Sequence, residues 1–208
     1  MIRIVNFPFC NYASVSRVLK TNNYSFADLE KDNELTARDI LILPGVGSFS
    51  EGMNYLQEQS LITKIVAHAN SGGKIIGICL GLQLLFNKSE ESPGIDGLKL
   101  IDGRVIKIPT CNDFSVPHIG WNSLTETNST PGFLKEFFDQ TGNSKSDYYF
   151  VHSYYALPSK KHDSIAKLSH PMGDIDVAFH RKNIYAVQFH PEKSGPTGYR
   201  LLKQIIDQ

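Results

Sequence analysis

The chain predicts an α/β protein built on a parallel sheet covered by helices. Three observations carry this. Short apolar runs alternate with helix-like segments through the first half, the pattern of strands joined by crossover helices. Shorter extended runs separated by turn signals fill the second half. Between them stands KIIGICLGLQLLF, residues 74–86, where a β-like run gives way to a helix-like one around a cysteine set between two glycines.

Ile2 to Asn6 opens the chain as a strand, and Ala13 to Asn22 reads as a helix with Val15, Val18 and Leu19 on one face. Ile40 to Leu43 has the continuous apolar character of a strand buried on both faces, and Pro44-Gly45-Val46-Gly47 ends it. Helices follow over about Ser50 to Gln57 and Leu61 to Asn70; Gly72-Gly73 stops the second, and Lys74 to Ile78 is the next strand. Beyond Phe86 the extended runs are Gly103–Ile108, Ile119–Leu124, Asp147–His152, Ser164–Leu168, Ile175–His180 and Ile184–Phe189. A last helix, Thr197 to Ile206, buries Leu201, Leu202, Ile205 and Ile206, and polar loops lie near residues 88–97, 125–132 and 139–146. No internal repeat divides the 208 residues, so one domain over 1–208 is expected.

Composition narrows the function classes. The 21 Lys and Arg residues balance the 21 Asp and Glu residues, so no net field draws the chain to nucleic acid or to an anionic membrane. The longest apolar stretch, Ile75 to Phe86, is interrupted by Gln83 and two glycines and is too short to span a bilayer. No basic segment with a long apolar run opens the chain, so a cytoplasmic location is expected. Cys10, Cys79 and Cys111 are odd in number and far apart, which argues against a disulfide framework and a thiolate metal site; no cofactor is expected.

Gly77-Ile78-Cys79-Leu80-Gly81 is the cysteine version of the strand-to-helix nucleophile elbow. The sharp turn crowds the positions two before and two after its apex, where glycine lets neighbouring backbone approach. A sulfur at a helix N-terminus is favoured as thiolate by unpaired N–H groups. In this geometry the Leu80 amide points where an oxyanion forms, and the Pro44–Gly47 turn offers a second donor from a neighbouring strand end. A lone cysteine in an apolar run is more often a core residue, and the flanking glycines bring the two readings level. A distant base decides between them.

That base is sought in Gln188-Phe189-His190-Pro191-Glu192-Lys193. Residues i and i+2 of an extended chain share a face, so Glu192 can reach the imidazole of His190, and Pro191 keeps His190 out of the α region. Taken alone, the same tripeptide is an ordinary polar turn. With Cys79 it supplies nucleophile, base and orienting carboxylate.

These residues resemble the class I glutamine amidotransferases, the triad-bearing glutaminases. The narrower signals are Pro44–Gly47 with Phe49 and Met53, Leu82–Phe86, Pro117-His118-Ile119-Gly120-Trp121-Asn122, Tyr149–Tyr154, and His190–Ser194. Together they are similar to the family of glutaminase subunits of imidazole glycerol phosphate synthase, from about residue 40 onward, and the resemblance implies a mostly parallel open α/β sheet flanked by helices, flavodoxin-like, with an added antiparallel part. The resemblance implies that Cys79 attacks the side-chain amide carbon of L-glutamine, that His190 moves protons and that Glu192 orients it. Ammonia leaves through a thioester that water hydrolyses. Leu80 and Val46 would supply oxyanion-hole amides, and Gly47, Gln83, Glu91, Ser153 and Tyr154 would hold the glutamine. Gln83 carries the firmest local argument, lying one helical turn past Cys79 on the same face, whereas a loop glutamate such as Glu91 is usually just solvated.

Ammonia is useful to a synthesis only if it is handed on before protonation or escape, yet the chain has no phosphate-cradling loop, nucleotide fingerprint or metal-ligand motif for an acceptor. An acceptor enzyme on another chain is expected. The resemblance implies a TIM-barrel synthase joined as a heterodimer for histidine biosynthesis, with Asn11, Trp121, Tyr149 and Lys193 at the contact. Each also has a plain reading as a core or solvated side chain. One departure stands out: that family's first strand ends in Asp-Tyr-Gly-x-Gly-Asn, and here Asn6-Phe7-Pro8-Phe9-Cys10-Asn11 keeps only the last residue. A paralogue that supplies ammonia to a synthase of amidine-bearing or amino sugars for surface polysaccharide is therefore the alternative. A non-catalytic regulatory subunit and a stand-alone γ-glutamyl hydrolase rank behind it.

Overall fold

Alternating apolar side chains pack the two faces of a central sheet. The computed structural model describes residues 1–32, 34–111, 114–138 and 146–208. The parallel half is built from β1 (Ile2–Ile4), α1 (Tyr12–Thr21), β2 (Phe26–Asp28), β3 (Ile40–Leu43), α2 (Phe49–Glu58), α3 (Ile62–Asn70), β4 (Lys74–Ile78) and the short α4 (Leu80–Leu84). The second half contains β5 (Gly103–Lys107), β6 (His118–Ser123), β7 (Thr125–Glu126), α5 (Lys135–Phe138), β8 (Asp147–His152), β9 (Tyr154–Pro158), β10 (Ser164–Leu168), β11 (Ile175–Arg181), β12 (Ile184–Val187) and α6 (Gly195–Asp207).

The main sheet has eight strands in the order β2-β1-β3-β4-β12-β11-β10-β7. The pairs from β2 to β12 are parallel and those from β12 to β7 antiparallel. This is the expected mostly parallel sheet with an antiparallel part. Two antiparallel pairs, β5 with β9 and β6 with β8, stand apart from it.

The period of two along each strand divides the interior. Ile2, Ile4, Ile42, Ile76 and Ile78 join α1 and α6 in one core, which buries Val15, Val18, Leu19, Leu201, Leu202, Ile205 and Ile206. Leu41, Leu43 and Ile75 join Phe49, Met53 and Leu56 of α2 and Ile65 of α3 in the other. Each fully buried aliphatic side chain contributes about 1.5–3 kcal/mol relative to exposure. Helix α2 starts at a capping box: Ser48 accepts from the Glu51 N–H, and the Glu51 carboxylate accepts from the Ser48 N–H at 2.9 Å.

Pairing register positions the site. Val187 lies opposite Ile78 and Leu43 opposite Gly77, so β3, β4 and β12 end side by side at one edge of the sheet. The Cys79 N–H donates to the Val187 carbonyl at 2.8 Å, tying the two chain ends together. The β6–β8 pair is anchored beside that edge, where the His190 N–H donates to the Tyr149 carbonyl at 2.9 Å and the Tyr149 N–H donates to Ser194 Oγ at 3.0 Å.

Differences from the sequence expectation fall at short elements. The strand expected over Ile184–Phe189 ends at Val187: the Gln188 N–H keeps one bond to the Val177 carbonyl, but the His190 N–H has crossed to the Tyr149 carbonyl of β8. Strands β2, β7 and β9 and helix α5 were not expected. Thr125–Glu126, inside the expected polar loop, pairs at the sheet edge with β10. Of the loop expected near residues 139–146, positions 139–145 lie outside the described residues.

Candidate active site

Cys79 sits at the apex between β4 and α4 with φ +53° and ψ −105°, a conformation that strains a residue with a side chain. The flanking glycines make this turn possible. A Cβ on Gly81 would lie 1.7 Å from the Leu43 carbonyl oxygen, and one on Gly77 would lie 3.0 Å from the Gly81 carbonyl. The helix that follows has only five residues, so it presents a smaller dipole to the sulfur than a long helix would. The Gln83 N–H nevertheless bonds the Cys79 carbonyl at 3.2 Å, placing Gln83 one turn beyond the cysteine.

His190 is extended, at φ −103° and ψ 91°, as the proline after it requires. The mechanism expected for its contact with Glu192 is corrected: Pro191–Lys193 form a 3₁₀ turn, and this turn, not extended alternation, brings Glu192 Oε1 to 2.7 Å from His190 Nδ1. Both side chains are buried, and His190 Nε2 has no well-formed hydrogen bond among the described residues. Burial alone would lower the His190 pKa. The charge and close approach of Cys79, together with Glu192, outweigh it and raise the value to about 10. The ring is thus poised as an imidazolium between a sulfur and a carboxylate.

A cavity of about 310 Å³ opens onto Cys79. Val46, Gly47, Leu80, Gln83, Glu91, Ser153 and Tyr154, all singled out from the sequence, line it together with Pro117, Ile119, Val151 and His152. Gln83 spends both amide hydrogens inside the protein, on the Tyr154 carbonyl at 3.0 Å and on Gln188 Oε1 at 3.1 Å, leaving its own oxygen to offer a ligand. Glu91 is not simply solvated: its Oε2 accepts the Phe49 N–H at 2.7 Å in the first turn of α2. Gly47 has φ +105°, a conformation that favours glycine.

The oxyanion-hole expectation meets a different arrangement. The Leu80 N–H donates to the Gly45 carbonyl at 3.3 Å. In the trans peptide between Gly45 and Val46 the carbonyl and the N–H point in opposite directions, so the Val46 N–H faces away from Leu80. The Leu80 N–H is thus taken up by the Gly45 carbonyl, and the Val46 N–H is turned away from it.

The residues expected at a protein contact divide. Trp121 is 54% exposed, with its ring centroid 5.7 Å from that of Tyr149, and Lys193 Nζ lies over the same Tyr149 ring, 5.7 Å from its centroid. Tyr149 in turn approaches His190, with 6.3 Å between centroids. Exposed Ile119 extends the apolar surface along β6. Asn11 acts within the fold, where its side chain caps α1 by accepting the Ser14 N–H at 3.3 Å. Sequence reasoning missed Gln188, which is fully buried and points its amide nitrogen at Cys79 Sγ from 3.6 Å. Its position two residues before His190, at the end of a strand running parallel to the cysteine's, was the available signal.

Comparison with known proteins agrees with this geometry. The family model "Glutamine amidotransferase class-I" matches residues 11–208. The chain is 39% identical over 206 residues to imidazole glycerol phosphate synthase subunit HisH of Caldanaerobacter subterraneus subsp. tengcongensis, covering 99% of this chain and 97% of that protein. It is 37% identical over 210 residues to the protein of the same name from Methanothermobacter thermautotrophicus, covering 100% and 98%. Among solved structures, PurLQS from Thermotoga maritima superposes with a TM-score of 0.70 at 17% identity, covering 99% of this chain and 97% of that one. A glutamine amidotransferase from Thermotoga maritima gives 0.65 at 18% identity, covering 99% and 80%. At such identities the superpositions speak for the fold, whereas the family match and the full-length relatives speak for descent. The chain belongs to the class-I glutamine amidotransferase family.

Proposed function

We propose that this chain is the glutaminase subunit of an imidazole glycerol phosphate synthase, acting as one domain over residues 1–208 in the cytoplasm. Cys79, as thiolate, attacks the side-chain amide carbon of L-glutamine. The imidazolium of His190 gives its proton to the departing nitrogen, and ammonia leaves as a thioester forms. His190, now neutral, takes a proton from water as the water oxygen attacks the thioester, and glutamate is released with the sulfur restored. Glu192 holds the ring in position throughout. Gly47, Gln83, Glu91, Ser153 and Tyr154 hold the substrate, with the carboxylate of Glu91 suited to its ammonium group. Leu80 and Val46 stabilise the oxyanion after the Gly45–Val46 peptide rotates.

The observation that carries this reading is the strained Cys79 elbow beside a buried His190 whose pKa is raised by that sulfur and by Glu192. The names of the full-length relatives support the pathway. Ammonia then passes to a TIM-barrel synthase subunit docked as a heterodimer over Trp121, Tyr149 and Lys193, with Asn11 at the margin. The test is glutamate release with and without candidate synthases, reading where the nitrogen arrives. Transfer into imidazole glycerol phosphate is the expected result.

A second reading rests on the turn 6–11. Phe9 of that turn packs against the oxyanion turn, its Cδ2 3.4 Å from where a Cβ on Gly47 would stand. A turn so placed and so unlike the family's suits a different acceptor subunit, and delivery of nitrogen to a nucleotide sugar in the same assay would favour the surface-polysaccharide paralogue.

A further inference from the structure

A continuous set of hydrogen bonds runs from the exposed strand β6 to the reactive sulfur, and one backbone carbonyl sets the direction of most of it. The carbonyl of Tyr154 can only accept. It takes a hydrogen from Gln83 Nε2 at 3.0 Å and another from His152 Nδ1 at 2.9 Å. On one side, Gln83 must then turn its amide nitrogen toward Tyr154, and that nitrogen's second hydrogen goes to Gln188 Oε1 at 3.1 Å. With its oxygen so engaged, Gln188 presents N–H to Cys79 Sγ at 3.6 Å. On the other side, His152 is neutral with its hydrogen on Nδ1, because burial opposes a charge there. Its Nε2 accepts, and His118 Nδ1 supplies the hydrogen at 3.1 Å. His118 and His152 are directly opposed in the β6–β8 register, and His118 Nε2 lies 2.8 Å from Asn122 Oδ1, so with Nδ1 donating, the Asn122 amide must be turned to present its nitrogen to Nε2.

We propose that Gln188 donates to the sulfur of Cys79 and holds it as thiolate, and that His118 and His152 are positioning residues that hold the Tyr154 carbonyl where it orients Gln83 and, through Gln83, Gln188. An inverted Gln188 would set a carbonyl oxygen against the thiolate and disfavour it, whereas the His190 imidazolium, which favours the thiolate, and the Val151 carbonyl 4.0 Å from Sγ, which opposes it, face the sulfur in every variant alike. None of these three side chains needs to touch the reacting amide of glutamine, so their effect falls on the nucleophile and on the Ser153–Tyr154 wall. The proposal rests on the glutaminase reading for its purpose, but its central claim concerns the thiol and is measurable without glutamine.

The experiment is the pH dependence of Cys79 alkylation by iodoacetamide in the full chain carrying Cys10→Ser and Cys111→Ser. Loss of one charge-directed hydrogen bond moves the alkylation midpoint up by about one pH unit in Gln188→Leu, and further in Gln188→Glu, which keeps the shape and brings a second negative charge. His152→Leu moves it in the same direction by less, and His152→Asn, whose amide nitrogen can stand in for Nδ1, restores it. An unchanged midpoint in either Gln188 variant overturns the proposal. A shift in the Gln188 variants with none in His152→Leu overturns the positioning role of the histidines. If Gln188→Leu or His152→Leu does not fold, Gln188→Glu and His118→Leu decide the same two points. Failure of the parent chain to hydrolyse glutamine with any synthase would instead sink the glutaminase reading and leave the midpoint comparison standing.

Discussion

The backbone N–H of Leu80 is bonded to the carbonyl oxygen of Gly45 at 3.3 Å, although Leu80 directly follows Cys79 and its N–H is one of the two proposed to receive an oxyanion. A thiol can therefore be reactive here while the transition state of amide hydrolysis goes unsupported. Alkylation of Cys79 is expected to be fast in the free chain and glutamine turnover slow. A docked synthase that rotates the Gly45–Val46 peptide should raise turnover about 10²–10³-fold, the usual worth of an oxyanion donor, with a much smaller change in alkylation rate. Parallel glutamate-release and alkylation assays check this; equal stimulation of both would reject it.

Strain at the elbow separates stability from activity. Cys79→Ala and Cys79→Gly should both abolish glutamine hydrolysis. Because φ is +53°, the glycine variant should be more stable than the alanine variant by about 1 kcal/mol. Thermal or urea denaturation of the pair reads the difference directly.

The close approach at Gly81 admits no side chain. A Cβ there would stand 1.7 Å from the Leu43 carbonyl oxygen, and backbone on both sides must move to accept it. Gly81→Ala is expected to cost about 3 kcal/mol or more, lowering the denaturation midpoint as well as activity. Gly94→Ala is a useful contrast, since no atom lies within 4 Å of the added carbon although φ is +85°.

Acid should loosen the wall behind the cavity. Burial pushes the His152 pKa down to about 3, with His118 and His190 adding repulsion and the Tyr154 carbonyl opposing them. The folded value lies below the unfolded value of about 6.5, so the stabilising contribution is complete above pH 6.5 and lost as pH falls toward 3. The slope from this one group is at most about 1.4 kcal/mol per pH unit. In His152→Asn that slope should disappear from stability measured between pH 6 and 4, whereas an unaltered slope would place the acid sensitivity elsewhere.

Docking should depend on the aromatic group on β6 and β8. Trp121→Ala removes a side chain that is 54% exposed, so the isolated chain should keep its stability. If a synthase subunit docks as proposed, its affinity should fall about 30-fold, the scale of an interface anchor worth about 2 kcal/mol. Titration calorimetry with the parent and variant chains measures it.

Legibility followed the length and regularity of each signal. Strands Ile40–Leu43 and Lys74–Ile78 were readable to the residue, because continuous apolar runs bounded by Pro44 and by Gly72-Gly73 leave little choice. Helices α1, α2 and α6 shifted by only one or two residues at their ends, where caps such as Ser48 decide the boundary. Strand β9 escaped notice because only Ser153 separates it from β8, and no turn residue marks the break. The motifs that carry Cys79, His190 and Glu192 were legible, yet two features of the site were not. Which way the Gly45–Val46 peptide faces is a tertiary matter, and so is the reach of Gln188 toward the sulfur, which depends on β12 lying beside β4 in one register.

Trp121 is the only indole in the chain, and it stands in solvent on the face expected to meet another protein. Ultraviolet emission from the unlabelled chain is thus a local optical reporter of that face. Occlusion by a partner should shift the emission to the blue and shield it from a dissolved quencher such as iodide. Unfolding, by contrast, should change the spectrum little, since the ring is already wet, so melting of this chain is better followed by circular dichroism than by fluorescence.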